Sequence, residues 1–95
     1  MVITVLKAEV REDRVADLEQ AYRDASADIP TGIVETFLAR DAREATSWHI
    51  ITVWSSRVAL EAMRASGATP KGVQIFRAAG AEPDLSVLEV VQQGR

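Results

Sequence analysis

The segment Ser47–Ser55 has the composition of a β-strand with apolar side chains on both faces, and this pattern limits the folds open to a chain of 95 residues. Side chains at alternate positions of a strand point to the same face. One face holds Trp48, Ile50, Thr52 and Trp54, and the other holds His49, Ile51, Val53 and Ser55. A sheet with one face in water would alternate apolar and polar residues. The sheet that contains this strand therefore needs a cover on each face.

Three further strands are predicted from β-branched residues bounded by charged or turn-forming residues. They are Val2–Val10, Ile33–Arg40 and Leu85–Val91. The polar connection 41–46 is short, so the second and third strands form an antiparallel hairpin.

Three segments have the apolar spacing of helices. The first has a stripe of Val15, Leu18, Tyr22 and Ala25 and stops before Pro30 and Gly32. The second is capped by Ser55 or Ser56, carries Val58, Leu60 and Met63, and ends at Ser66 and Gly67. The third is capped by Thr69, has Pro70 in its first turn, carries Val73, Phe76 and Arg77, and stops at Gly80.

This order predicts an α+β fold, a ferredoxin-like βαββαβ arrangement with an antiparallel sheet and a split second helix. Residues 1–95 are expected to form a single domain. The helices of this topology lie on one face of the sheet, and so short a chain leaves nothing to cover the other. A second copy related by two-fold symmetry is the simplest cover, so we expect a homodimer with face-to-face sheets.

Composition argues against several classes of function. The net charge is −3 and the basic residues form no run, which disfavours nucleic acid as a partner. The chain has no cysteine, and no spacing typical of a metal site, a phosphate loop or a nucleophile motif is present. The apolar run at the N-terminus is too short for a signal peptide or a membrane span, so a cytoplasmic location and no membrane partner are expected.

One stretch of the chain resembles a known family. Gly32 opens the second strand, and Val53-Trp54-Ser55-Ser56 runs into Val58-Ala59-Leu60 after a polar hairpin. This arrangement resembles the antibiotic biosynthesis monooxygenase (ABM) superfamily, and the likeness extends over nearly the whole chain. It implies a dimeric α+β barrel with a pocket in each subunit between helices and sheet.

The resemblance also implies candidate activities and residues. Some members oxidise anthrones or quinols with molecular oxygen and no cofactor, which would make Trp54 a catalytic residue and Arg77 the source of a positive charge. Anthrone oxygenases carry an Asn four residues before the Trp, where this chain has Ile50. Haem-degrading members carry a His on the helix after the Trp and an Asn on the first strand, and this chain has neither. The remaining pocket candidates, proposed as substrate-binding residues, are Tyr22, Ile50, Thr52, Leu60, Met63 and Phe76.

The sequence leaves several functions open. The first is a cofactor-independent monooxygenase acting on a polycyclic or quinol-type aromatic small molecule. The second is a non-catalytic dimeric protein that binds a small apolar ligand, which the lack of an amide at Ile50 would favour. The third is a cofactor-free isomerase or decyclase, for which His49 or a carboxylate would have to serve as the base. No cofactor and no metal are expected for any of them.

Overall fold

A computed structural model of the chain describes residues 1–67 and 69–94. Within these residues the elements follow the predicted order. They are β1 (Val2–Glu9), a 3-10 turn (Glu12–Arg14), α1 (Val15–Ser26), β2 (Ile33–Arg40), β3 (Ser47–Trp54), α2 (Arg57–Ala65), α3 (Lys71–Ala78) and β4 (Asp84–Glu89). The ferredoxin-like α+β fold predicted from the sequence is confirmed.

The strands form one antiparallel sheet in the order β2-β3-β1-β4. Its inner face, under the helices, carries the even-numbered residues of β1 and β3, because these strands pair in register from Val2 opposite Trp54 to Ala8 opposite Trp48. Both tryptophans of this face are buried, each with 6% of its surface exposed. The prediction that Trp48 and Trp54 share one face at opposite ends of the strand is therefore confirmed.

The outer face of the sheet is also apolar. The residues of this face include Ile3, Val5, Phe37, Ile51, Val53 and Leu88. No element of the described part of the chain packs on them, and Phe37 and Leu88 are 47% and 51% exposed. The strands thus carry apolar side chains on both faces, as the alternation predicts.

Several element boundaries differ from the sequence prediction: β1 ends at Glu9 rather than Val10, β3 ends at Trp54 rather than Ser55, and β4 begins at Asp84 rather than Leu85. The third helix begins at Lys71, and Pro70 rather than Thr69 is its N-cap, because Pro70 has extended backbone angles (φ −56°, ψ 141°). The last strand ends at Glu89 rather than Val91, because its partner β1 begins at Val2, which lies opposite Glu89.

Close approach to α2 explains the glycine before β2. Gly32 has φ +101°, and a Cβ on it would lie 2.8 Å from the Cβ of Ala59. Its carbonyl accepts a hydrogen bond from the Ser55 amide at 2.9 Å. Ser56 then caps α2, accepting a hydrogen bond from the Ala59 amide. This junction fixes the end of β3, and with it Trp54, against α2.

Buried side chains of the described residues form two clusters on the inner face. The larger surrounds Leu18, Trp48 and Phe76, and the smaller joins Val2, Trp54 and Leu60. The space between these clusters is where the candidate site lies.

Candidate functional site

Two clefts among the described residues lie between the inner face and the helices. The first lies beside α1 and the start of α3, over β2 and β3, and its walls include Tyr22, Ile50 and Ile75. The second lies beside α2, over β1 and β4, and its walls include Leu60 and Met63. Both linings are predominantly apolar, as expected for small-molecule sites.

A row of three threonines crosses the floor of the two clefts. Thr52 lies directly opposite Thr36 on one side and Thr4 on the other, so the row runs over three neighbouring strands. Thr36 lines the first cleft, Thr4 lines the second, and Thr52 lines both. The row separates the two buried clusters and brings hydroxyl groups into an otherwise apolar space.

The hydroxyl groups on the first-cleft side are loosely connected. The Tyr22 hydroxyl donates to Thr36 Oγ1 at 3.4 Å, and the Oγ1 atoms of Thr36 and Thr52 are also 3.4 Å apart. Hydroxyl hydrogen bonds are usually about 2.7–2.8 Å long, so these contacts are weak. A ligand oxygen could therefore replace them at little cost.

Trp54 ends the row on the second-cleft side. Its indole Nε1 donates to Thr4 Oγ1 at 3.1 Å, and both residues are buried. Trp54 does not itself line either cleft, whereas Thr4, the acceptor of its hydrogen bond, lines the second. The role of Trp54 towards a ligand, which the family resemblance implies, stays a prediction.

The other predicted pocket residues divide into two groups. Tyr22, Ile50, Thr52, Leu60 and Met63 all line one or both clefts. Phe76 does not, because its side chain is fully buried in the larger cluster. Phe76 therefore stabilises α3 from within the core and is not exposed to a ligand in either cleft.

Arg77 also lies away from both clefts. It points from the opposite side of α3 and makes a two-pronged pair with Glu82, through Nε at 3.1 Å and Nη2 at 2.8 Å. The guanidinium lowers the pKa of the Glu82 carboxyl, and the carboxylate raises the pKa of Arg77. The positive charge that the resemblance implies for the pocket is therefore not supplied by Arg77 in this arrangement.

Two cations at the cleft margins were not predicted. Lys71 lines the first cleft, and its Nζ donates to the Asp28 carbonyl at 3.1 Å. Arg64 lines the second and lies 3.6 Å from the Glu61 carboxylate. Both side chains are solvent-exposed.

The only histidine of the sequence is on the outer face. His49 lies opposite Lys7 on β1 and Ala39 on β2, so the sheet separates it from both clefts. In the described residues, no group of three or more His, Asp and Glu side chains is arranged to hold a metal ion. Residues 1–67 and 69–94 also contain no helix that is long and apolar enough to cross a membrane.

Sequence comparison identifies the family. The family model for antibiotic biosynthesis monooxygenases matches residues 1–75. The chain belongs to the antibiotic biosynthesis monooxygenase family. The matched region contains the complete threonine row, Trp54 and nearly all of the cleft walls. A search of curated proteins finds no significant match.

Solved structures share the fold of this ABM chain. A protein from Deinococcus radiodurans, described as an antibiotic biosynthesis monooxygenase, superposes with a TM-score of 0.75 at 18% identity, covering 100% of this chain and 97% of its own. SnoaB, a cofactor-independent oxygenase from Streptomyces nogalater, gives a TM-score of 0.69 at 22% identity, covering 97% of this chain and 94% of SnoaB. A Caulobacter crescentus protein with the same description as the first gives 0.70 at 21%, covering 96% and 91%.

The sequence reasoning missed part of the site of this ABM chain. Thr4 and Thr36 were not among its candidates, although strand alternation alone places Thr4 on the face of Leu6. The position of Thr36 depends on a register shift between Ile33 and Glu35, which puts it opposite Thr52. That irregularity has no sequence signature as clear as the apolar alternation.

Proposed function

We propose that this protein is a cofactor-independent monooxygenase that oxidises a polycyclic or quinol-type aromatic molecule in the clefts beneath its helices. The observation that carries the proposal is the row of Thr36, Thr52 and Thr4 in an otherwise apolar site, with Tyr22 at one end and Trp54 at the other. Membership of the ABM family supports the class of reaction.

The reaction needs an electron-rich carbanion. An anthrone-type CH₂ group loses one proton to water, and the negative charge spreads onto the ring and its oxygen. The carbanion transfers one electron to dioxygen, and the two radicals combine through a new C–O bond into a peroxide anion, which takes up one proton from water to become a hydroperoxide. Loss of water from the hydroperoxide leaves a carbonyl, so one CH₂ and one O₂ give one C=O and one H₂O.

The hydroxyl row is suited to the anionic stage of this sequence. Hydrogen-bond donors aimed at an oxygen where negative charge develops stabilise it most where water is excluded. Tyr22 and Thr52 can both turn a hydroxyl towards a substrate oxygen, because their present contacts are long. They would supply the donors that an Asn supplies in anthrone oxygenases, since Ile50 offers only methyl groups at that position.

A non-catalytic ligand-binding protein is the alternative, and one observation favours it. Among the described residues, no His, Asp or Glu side chain lines either cleft. The clefts therefore lack the side chains that most often accept a proton from a substrate near neutral pH. An isomerase that uses His49 would have to bind its substrate on the outer face.

Oxygen uptake with isotope-labelled gas tests the proposal. Purified protein is mixed with anthrone or a naphthohydroquinol under ¹⁸O₂, and a protein-free reaction gives the rate of autoxidation. We expect uptake above that rate and one labelled oxygen in the anthraquinone formed from anthrone. Thermal stabilisation by these compounds without uptake would favour the binding protein instead.

We also propose that a second copy of the chain covers the outer face. Its apolar centre, which includes Val5, Phe37 and Ile51, would be costly to leave in water. Lys7 and Asp84 lie opposite each other at one end of the same face, so it carries both signs of charge and can be self-complementary.

A further inference from the structure

The polar residues of the outer face lie together at one end of it. The strand register divides this face into rows that cross β2, β3, β1 and β4 in turn. The first row is mostly polar, whereas the centre row and the far row are apolar except at one edge. In that order the rows are Ala39, His49, Lys7 and Asp84; Phe37, Ile51, Val5 and Ser86; and Glu35, Val53, Ile3 and Leu88. We call the first of them the polar row.

The side chains of the polar row are not paired within the described part of the chain. Lys7 and Asp84 lie directly opposite each other on neighbouring strands, and both are solvent-exposed. In residues 1–67 and 69–94 neither makes an ion pair or a side-chain hydrogen bond, and His49 beside Lys7 makes none either. Arg14 and Arg77, by contrast, each pair with a carboxylate at 2.8 Å. The polar row is therefore free to bind groups of a second chain.

Two-fold symmetry offers two ways to pack the outer face on a second copy of itself. The polar row of one copy meets either the polar row of the other or its far row. In the second case the Lys7 ammonium group would lie against Ile3 and Val53 of the partner subunit, and burying an unpaired charge is costly. In the first case Lys7 and His49 would lie against polar side chains, and opposite charges of the two copies would come together. Contact between the two polar rows is therefore favoured.

We propose that two copies of the chain pack with their polar rows together, so that Lys7 of each copy lies within reach of Asp84 of the partner subunit. The inference rests on the proposed assembly and adds to it which ends of the two sheets meet. The apolar centre, which includes Val5 and Ile51, is then bordered at one end by charges of both signs from both copies. A polar rim around an apolar centre is typical of stable protein interfaces.

Exchange between charge-reversed variants tests this arrangement. Lys7→Glu makes the polar row negative and Asp84→Lys makes it positive, so each homodimer would bring like charges together. A heterodimer of the two would bring opposite charges together, although neither chain regains opposite charges on its own β1 and β4. The matched control mixes Lys7→Glu with Glu35→Lys, which changes the charge as Asp84→Lys does but in the far row. One protein of each mixture is labelled with ¹⁵N, and the dimers are counted by native mass spectrometry.

We expect at least about four-fifths heterodimer from Lys7→Glu with Asp84→Lys, because like charges facing each other across an interface are costly. The control should give about one half, the value for random exchange, and so should labelled with unlabelled wild type. An excess in the control alone would overturn the proposal in favour of contact between the polar row and the far row. The same fraction in both mixtures would also overturn it, since net charge or random exchange would then explain the result.

A second measurement avoids chains that carry like charges side by side. Lys7→Glu/Asp84→Lys keeps one charge of each sign at these two positions, so it should fold as the wild type does. A heterodimer of this variant with the wild type would bring like charges together, so we expect about one quarter heterodimer or less. Random exchange would overturn the arrangement and leave the dimer in place, whereas a monomeric wild type would overturn both. Oxygen uptake by the wild type reports separately on the oxygenase.

Discussion

The hydrogen bond from Trp54 to Thr4 allows the energetics of the candidate site to be measured without an activity assay. Thr4→Val keeps the shape of the side chain but leaves the buried indole Nε1 without its 3.1 Å acceptor. An unsatisfied buried donor costs about 1–3 kcal/mol, so we expect a loss in the free energy of unfolding within that range. Trp54→Phe removes the donor and part of a buried ring, and should cost about 2–3 kcal/mol.

A double-mutant cycle isolates the hydrogen bond from the other effects of these substitutions. In Thr4→Val/Trp54→Phe neither partner is left unsatisfied, so the loss should be about 1 kcal/mol smaller than the sum of the single losses. Urea unfolding followed by far-UV circular dichroism is the appropriate assay, because one variant lacks a tryptophan and would distort a fluorescence signal. All proteins are compared at one concentration, since dimerisation would make stability concentration-dependent.

The matched control for this cycle is Thr46→Val. Thr46 is exposed in the connection between β2 and β3, and its hydroxyl donates to Glu9 at 2.7 Å. It makes no described contact with Trp54, so its effect should add to that of Trp54→Phe within about 0.5 kcal/mol. A Thr4–Trp54 coupling no larger than that of this control would refute the role given to the buried hydrogen bond.

Three further predictions concern the fold and its assembly. Ser56→Ala removes the side-chain cap of α2 and should lower the free energy of unfolding by about 1 kcal/mol in urea titrations, whereas Ser56→Asp should retain it. Because Arg77 lowers the pKa of Glu82 in the folded protein, this pair should stabilise the fold above the ordinary glutamate pKa of about 4.3 and lose its effect as the pH falls through the lower folded value. Wild type and Glu82→Gln should therefore differ slightly in stability at neutral pH and converge in acid, and a gap that widened in acid would contradict the sign. Ile51→Lys places a charge in the centre of the outer face, and sedimentation velocity should show a dimer for the wild type and a monomer for the variant; a monomeric wild type would contradict the proposed assembly.

The fold could be predicted from the sequence because local patterns in this chain agree with its topology. Apolar alternation marks the strands, and Gly32 and Ser56 mark the junction with α2. The outer face could also be predicted, because alternation assigns Ile51 and Val53 to one side whatever the strand pairing. These features could be predicted because they depend on residues that are close together in the sequence.

The site could be predicted only in part because it depends on how strands and helices meet. Thr36 and Thr52 become neighbours through a register shift near Ile33 that the strand pattern does not reveal. The prediction for Arg77 did not take account of Glu82, which is brought alongside it when the chain turns at Gly80 with φ +74°. The guanidinium of Arg77 forms an ion pair with this nearby glutamate. Arg77 therefore has no need of a charged partner in a pocket.

Whether the hydroxyl row takes part in oxidation is tested most directly by the kinetics of one threonine variant. Steady-state oxygen uptake with anthrone is compared for the wild type, Thr52→Val and the control Thr46→Val, after subtraction of autoxidation. We predict that Thr52→Val lowers kcat by about tenfold or more, since it removes a donor to the developing anion, while the kcat of Thr46→Val stays close to that of the wild type. Equal turnover in Thr52→Val and Thr46→Val would contradict the role of the row, and a wild type without uptake would contradict the oxygenase itself.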